Sequence, residues 1–243
     1  MKQLIIKELK EFSYSYFGFG SMVLFIILSY SFLWVFPQSS YTAYGFSDPQ
    51  NYFSFLSFLF LFIVPLISVG MITKEFSLGT FELLRTQDIS WTQIVLSKFI
   101  ALMCYITFLI LLTLVHLFVL QEVSTEGTVI GSGQLFGSIL GVILLAAVYG
   151  AISQWIASWL EHSIMAIIVS IIVCFLFYVG FGFLSELEWL KVDWDYFLKT
   201  ISLQWHADQL SRGLLYFSSV IYTLSICTLS LYGAIISLAR KNF

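Results

Sequence analysis

The side chains able to do chemistry are sparse in this 243-residue chain, and their spacing assembles no reaction centre. Glu161-His162 is an isolated pair. A zinc protease helix needs His-Glu-x-x-His, which sets two imidazoles on one face with a base between them. Cys104, Cys174 and Cys227 each fall inside an apolar run, far from one another and from any histidine cluster. They read as buried packing residues rather than zinc ligands. There is no Gly-x-x-x-x-Gly-Lys-Ser/Thr loop to cradle a nucleotide and no Gly-x-Ser-x-Gly turn to expose a serine. No ionisable pair stands mid-way along an apolar run, where a proton relay or an ion-coupled carrier needs one. The chain is therefore expected not to be an enzyme, to hold no metal or cofactor, and to be a part that something else drives.

Two polar stretches carry more information. The first, residues 74–98, contains Lys74, Glu75, Gly79, Thr80, Glu82, Leu83, Leu84 and Arg85. Thr80 is placed to cap a short helix through Leu84, with Glu82 near its positive end. Ser90 and Gln93 have capping-box spacing, so a second helix is expected to start there and run into the next apolar segment. Lys98 is then expected to snorkel at the membrane boundary. Phe81, Leu83 and Leu84 give the stretch an apolar tip, which fits either a protein partner or packing against the chain's own helix ends. The second stretch, residues 185–213, has Ser185 and Glu188 at capping-box spacing. Its apolar residues Leu187, Leu190, Trp194, Phe197, Leu198 and Ile201 recur every three to four positions. Short interfacial or re-entrant helices are expected, with Trp189, Trp194, Tyr196 and Trp205 at the interface. Asp208 and Arg212 stand at i, i+4 and are placed to pair.

The elements that hold these stretches are set by hydropathy. Hydrophobic residues make up 59% of the chain and charged residues only 10%, against about 25% charged in a soluble domain. A water-soluble fold of this length has no place to hide so much apolar surface. The expected fold is an all-α integral membrane protein. Six spans are predicted, at 17–36, 52–73, 99–120, 135–160, 163–184 and 214–239, each free of Asp, Glu, Lys and Arg and near the about 20 residues a bilayer requires. Pro65 marks an expected kink. Long unbroken runs exclude a β-barrel, whose strands are short and alternating. The net charge of −3 offers no basic face to nucleic acid.

Orientation follows the lysines and arginines. With the N-terminus inside, Lys2, Lys7, Lys10, Lys74, Arg85, Lys98, Arg240 and Lys241 are cytoplasmic, and only Lys191, Lys199 and Arg212 are outside. Both termini are expected in the cytoplasm. The start, residues 1–16, is expected to carry no cleavable leader; Ile5, Leu9 and Phe12 share one face of an amphipathic helix whose lysines suit anionic headgroups. The alternative is a flanking helix that only anchors the first span. Gly133, Gly137 and Gly141 form a small-residue stripe, continued by Ala147 and Ala151, which serves packing either within the chain or against a second copy. Gln154 and His116 are polar residues inside spans, each expected to hydrogen-bond a neighbouring helix.

The run Lys74-Glu75-x-x-x-Gly79-Thr80-x-Glu82-Leu83-Leu84-x-Thr86-x-x-Ile89-Ser90, closing at Lys98, resembles the ABC-2 type permease family, the six-span membrane subunits of certain ABC transporters. The opening Lys-Glu-Leu-Lys-Glu-Phe, Leu33-Trp34-Val35-Phe36 and Leu210-Ser211-Arg212-Gly213 also fit, so the resemblance covers most of the chain. The gliding-motility-associated permeases are the members it resembles most. Asp88 stands where the family usually has proline, and it too can end a turn.

The resemblance implies that residues 1–16 are a connector helix and that 74–98 holds a coupling helix. Lys74, Glu75, Gly79, Thr80, Glu82, Leu83, Leu84 and Arg85 would seat in the groove of a separate ABC ATPase subunit, which binds ATP and magnesium. It implies a dimer with a second permease copy or paralogue, and an outer gate at 185–213 that includes Asp208 and Arg212. The place implied is a bacterial inner membrane. Two alternatives stay open: ATP-driven force transmission to a periplasmic accessory protein without transport, and an ion-coupled carrier.

Overall fold

The computed structural model of the chain describes residues 2–35, 49–79, 89–123, 132–160, 162–185, 192–211 and 216–241. Every regular element among them is helical. In order these are α1 (Lys2–Ser13), α2 (Tyr16–Trp34), α3 (Pro49–Leu78), α4 (Trp91–Val123), α5 (Ser132–Trp159) and α6 (Ser163–Phe175). A π-turn over Leu176–Gly180 leads from α6 into α7 (Phe181–Ser185), followed by α8 (Val192–Ile201), α9 (Leu203–Ser211) and α10 (Phe217–Arg240).

Five stretches are long and apolar enough to cross a membrane: Asn51–Ser77, Trp91–Val115, Gly133–Trp159, Ser163–Ser185 and Phe217–Arg240. The described apolar part of α2, Gly18–Trp34, is shorter. Helices are the form such runs take because lipid offers no partner for a free N–H or C=O, and a helix satisfies its own. α3 runs unbroken through Pro65.

Specific side chains set the helix ends. Ser15 Oγ accepts from Gly18 N at 2.9 Å and caps α2. A Cβ at Gly18 would lie 2.0 Å from the carbonyl oxygen of Phe12, so only glycine lets α1 and α2 meet in so sharp an elbow. The capping box is formed as expected: Ser90 Oγ accepts from Gln93 N, and Gln93 Oε1 accepts from Ser90 N, both at 3.3 Å. Gly79 ends α3 with φ +63°, the left-handed turn that favours glycine after a helix.

α5 is the central helix. It packs against α3, α10, α9, α6 and α4, and its Ala146, Tyr149 and Ala151 are fully buried. At Gly150 it meets Val64 of α3 and Leu102 of α4. The apolar residues left exposed, such as Ile164, Ile168 and Ile172 on α6 and Phe19, Val23 and Ile27 on α2, form outward stripes that suit hydrocarbon. Cys174 and Cys227 are buried as expected, whereas Cys104 is exposed because it points off the outer side of α4.

The π-turn positions the second polar stretch. Ser202 Oγ donates to Tyr178 O at 2.9 Å, fastening the α8–α9 corner to that turn. Two short helices, α8 and α9, lie in that stretch; residues 186–191, which include Glu188 and Trp189, lie outside the described residues.

Candidate functional site

The α1 end of the bundle gathers charge. Lys98 enters two turns into α4 and is only 2% exposed. Its ammonium donates to Glu8 Oε1 of α1, Glu75 Oε1 of α3 and Met71 O of α3, each at 2.9 Å. Three N–H bonds meet three acceptors, which uses the full donor set of a lysine. Lys98 therefore does not snorkel to a boundary as the sequence suggested: two carboxylates approach it, and an ammonium with that company is held inside. Glu75 Oε2 has no partner among the described residues, so the cluster buries two carboxylates against one ammonium.

Such a cluster is a strong constraint and a weak source of net stability. Removing one partner of a buried ion pair costs about 3–5 kcal/mol, because the other charge is left uncompensated. Around it lies an exposed layer: Glu11 pairs with Lys7 and with Lys74, each at 3.6 Å, and all three side chains are about half exposed. Pairs of that kind contribute at most about 1 kcal/mol.

α1 is seated for this role by its apolar face. Phe12 packs edge-on against Tyr105 of α4, ring centroids 4.8 Å apart. Tyr105 donates to Gly18 O at 2.9 Å and lies 3.1 Å from Ser21 Oγ, so α4 also holds the first turn of α2. The amphipathic helix thus rests on protein through its Phe12 side. Neighbouring helices close the same end: Ser163 Oγ donates to Thr73 Oγ1 at 2.8 Å, and the Lys241 ammonium sits 4.3 Å above the Phe76 ring.

Of the residues singled out in the sequence, Lys74 is exposed and paired, Glu75 is buried in the cluster, and Gly79 ends α3. Thr80, Glu82, Leu83, Leu84 and Arg85 lie outside the described residues, as does Arg212. Along the glycine stripe, Gly133 faces open space, Gly137 is buried, and Gly141 packs within the chain: a Cβ there would lie 3.0 Å from Leu210 Cβ of α9. Gln154 is fully buried, but neither of its amide atoms has a hydrogen-bond partner among the described residues, contrary to expectation. The side chain of His116 is outside those described.

Glu8 and Tyr105 are the residues the sequence reading left without a role. The signal for Glu8 was present, since a carboxylate at position 8 falls beside Ile5 and Phe12 on the apolar face. A charge placed there needs a buried partner, and Lys98 of α4 supplies it.

At the opposite end a hydrogen-bond network gathers around α9. His206 of α9 is 5% exposed. Its Nε2 lies 2.9 Å from Thr200 O and its Nδ1 2.9 Å from Ser219 Oγ, which in turn lies 3.0 Å from Gln209 Oε1. A carbonyl only accepts, so Nε2 carries the proton toward Thr200, while Ser219 Oγ donates to Gln209 Oε1. Burial holds the imidazole below the ordinary histidine range, and the bond to Thr200 opposes that only in part. Tyr222 Oη donates to Ile201 O at 2.6 Å and its ring stacks on His206. Asp208 is half-buried in this region, beside Ser54, Ser57 and Ser138.

No group of three metal-ligating side chains converges among the described residues. The buried charges are engaged with one another, an arrangement that joins helices rather than transfers protons.

Curated proteins include none that matches this chain. The family described as ABC-2 family transporter protein matches residues 3–239, nearly the whole sequence and every helix described above. The chain is therefore a multi-pass membrane protein that belongs to the ABC-2 family of transporter proteins.

Proposed function

We propose that this chain is the permease half of a dimeric ABC transporter, driven at its α1 end by a separate ATPase. The family supplies the coarse statement: its members are membrane transport components, not themselves enzymes, and they normally work as dimers with an ABC ATPase. The finer reading has six spans, α2 being the first, with both termini on the cytoplasmic face of a bacterial inner membrane. α1 is the connector helix. Lys74, Glu75, Gly79, Thr80, Glu82, Leu83, Leu84 and Arg85 form the coupling segment, and ATP and magnesium are held by the partner. α8 and α9, with Asp208 and Arg212, form the outer gate. The resemblance to the gliding-motility permease subunit GldF adds the narrower proposal that the transporter serves gliding motility.

The observation that carries the reading is the Glu8–Lys98–Glu75 cluster. Glu75 stands at the start of the 74–98 segment and Lys98 at its end, and the pair is fastened together and to Glu8 of α1. A push on residues 79–88 then moves α1, α3 and α4 together rather than bending a loop.

The test is the ATPase activity of the purified complex in nanodiscs. Glu82→Arg is expected to leave the permease folded and to reduce coupled turnover at least tenfold. Normal transport by that variant would overturn the coupling assignment. A complex that carries a large periplasmic partner and shows no substrate stimulation would move the reading to force transmission. Transport in proteoliposomes without nucleotide would move it to an ion-coupled carrier.

A further inference from the structure

A groove of about 450 Å³ opens between α5 and α10 at the α1 end of the bundle. Its walls are Trp155 and Trp159 of α5 and Gly233, Ser237 and Arg240 of α10, with Lys241 at its edge. Gly233 lets the Trp155 ring lie against α10, since a Cβ there would meet Trp155 Nε1 at 2.7 Å. Trp159 donates its indole N–H to Ser237 Oγ, and Ser237 donates to Gly233 O at 2.7 Å. The two indoles meet edge to face with centroids 6.4 Å apart. Both remain substantially exposed, Trp155 at 40% and Trp159 at 66%.

The charge of the groove is one-sided. Arg240 is exposed and makes no ion pair among the described residues, Lys241 adds a second positive charge, and none of the lining residues is acidic. The groove lies where the hydrocarbon ends, because Trp159 and Arg240 are the last residues of two membrane-crossing stretches. Tryptophan favours that depth because its ring is apolar and its N–H polar. Guanidinium binds phosphate oxygens in a two-pronged fashion, and basic pockets between membrane helices suit lipid headgroups. The volume falls in the range of small-ligand sites, about 300–1,000 Å³. A free phosphate would use the arginine but not the indole walls.

We propose that this groove binds an anionic phospholipid of the leaflet facing the α1 end, with its phosphate on Arg240 and Lys241 and its glycerol and upper acyl chain against Trp155 and Trp159. The site lies apart from the Glu8–Lys98–Glu75 cluster, and it does not depend on the transport reading.

Native mass spectrometry of the full-length chain, purified in detergent and titrated with phosphatidylglycerol, phosphatidylcholine or inorganic phosphate, tests this directly. Phosphatidylglycerol is expected to be retained about 25-fold more tightly than phosphatidylcholine. The surface variant Arg240→Gln/Lys241→Gln, checked for an unchanged thermal midpoint, is expected to lose that preference. Each basic residue is worth about a fivefold change. Trp159→Ala is expected to weaken both lipids while keeping the preference. Equal retention of the two lipids, or a wild-type preference in the double variant, would overturn the proposal. Displacement of phosphatidylglycerol by equimolar phosphate would identify a small-anion site instead. A polypeptide mass lost on the same two substitutions, with lipid unchanged, would identify a protein occupant instead.

Discussion

At the α1 end three charged side chains are buried against one another, whereas at the α8–α9 end an imidazole, a hydroxyl and an amide make neutral hydrogen bonds. The first arrangement tolerates little: move any of α1, α3 or α4 alone and a buried charge loses its partner. The second tolerates more. A neutral hydrogen bond contributes about 1 kcal/mol net, so α9 can shift against α10 at modest cost. The contrast assigns stiffness to the end where force is proposed to enter and compliance to the end proposed to open.

The contrast is broken most severely at Lys98. Lys98→Met leaves Glu8 and Glu75 buried without a counter-charge, and a loss of about 3–5 kcal/mol is expected. In detergent this should appear as a large fall in thermal midpoint or as failure to yield a monodisperse protein. Adding Glu8→Gln and Glu75→Gln should recover much of it. A single Lys98→Met variant as stable as wild type would remove the distinction between the two ends.

A smaller effect is expected from Ser219→Ala, which removes the hydroxyl that joins His206 Nδ1 to Gln209 Oε1. The expected loss is about 1 kcal/mol, read as a shift in denaturation midpoint. The same histidine sets a pH dependence. Its folded pKa lies below the ordinary 6.5, so the unfolded chain binds the extra proton first. The contribution of His206 is full above about pH 6.5 and is lost as pH falls toward the folded value. His206→Gln should flatten that acid limb, measured as thermal midpoint between pH 7.5 and 5. The smallest effect is Lys74→Ala, which breaks a half-exposed pair with Glu11. It should cost less than about 1 kcal/mol and less still in high salt.

Much of the fold was legible because lipid imposes so simple a rule. An uncharged run of twenty residues has one stable form in hydrocarbon, and α3, α4, α5, α10 and the α6–α7 stretch follow the hydropathy. Ser90 and Gln93 announced the start of α4 through a local rule needing no tertiary knowledge. The site was harder. Lys98 looked like a boundary lysine because its partners stand 90 and 23 positions away in sequence, and periodicity carries no information about which helices meet. Glu8 was readable as an anomaly on an apolar face but not as a partner for Lys98. Gln154 and Cys104 failed for the same reason in opposite directions: helix rotation decides which polar group finds a neighbour and which thiol faces out, and a run apolar on all sides does not encode its rotation.

The central claim is that the α1 end moves as one body while the α8–α9 end yields. Hydrogen–deuterium exchange of the assembled complex in nanodiscs, compared without nucleotide and with ATP trapped by vanadate, tests it most directly. The account predicts that residues 2–13 and 91–98 stay equally protected in both states while residues 192–211 change. Loss of protection in residues 2–13 and 91–98 with residues 192–211 unaltered would contradict it.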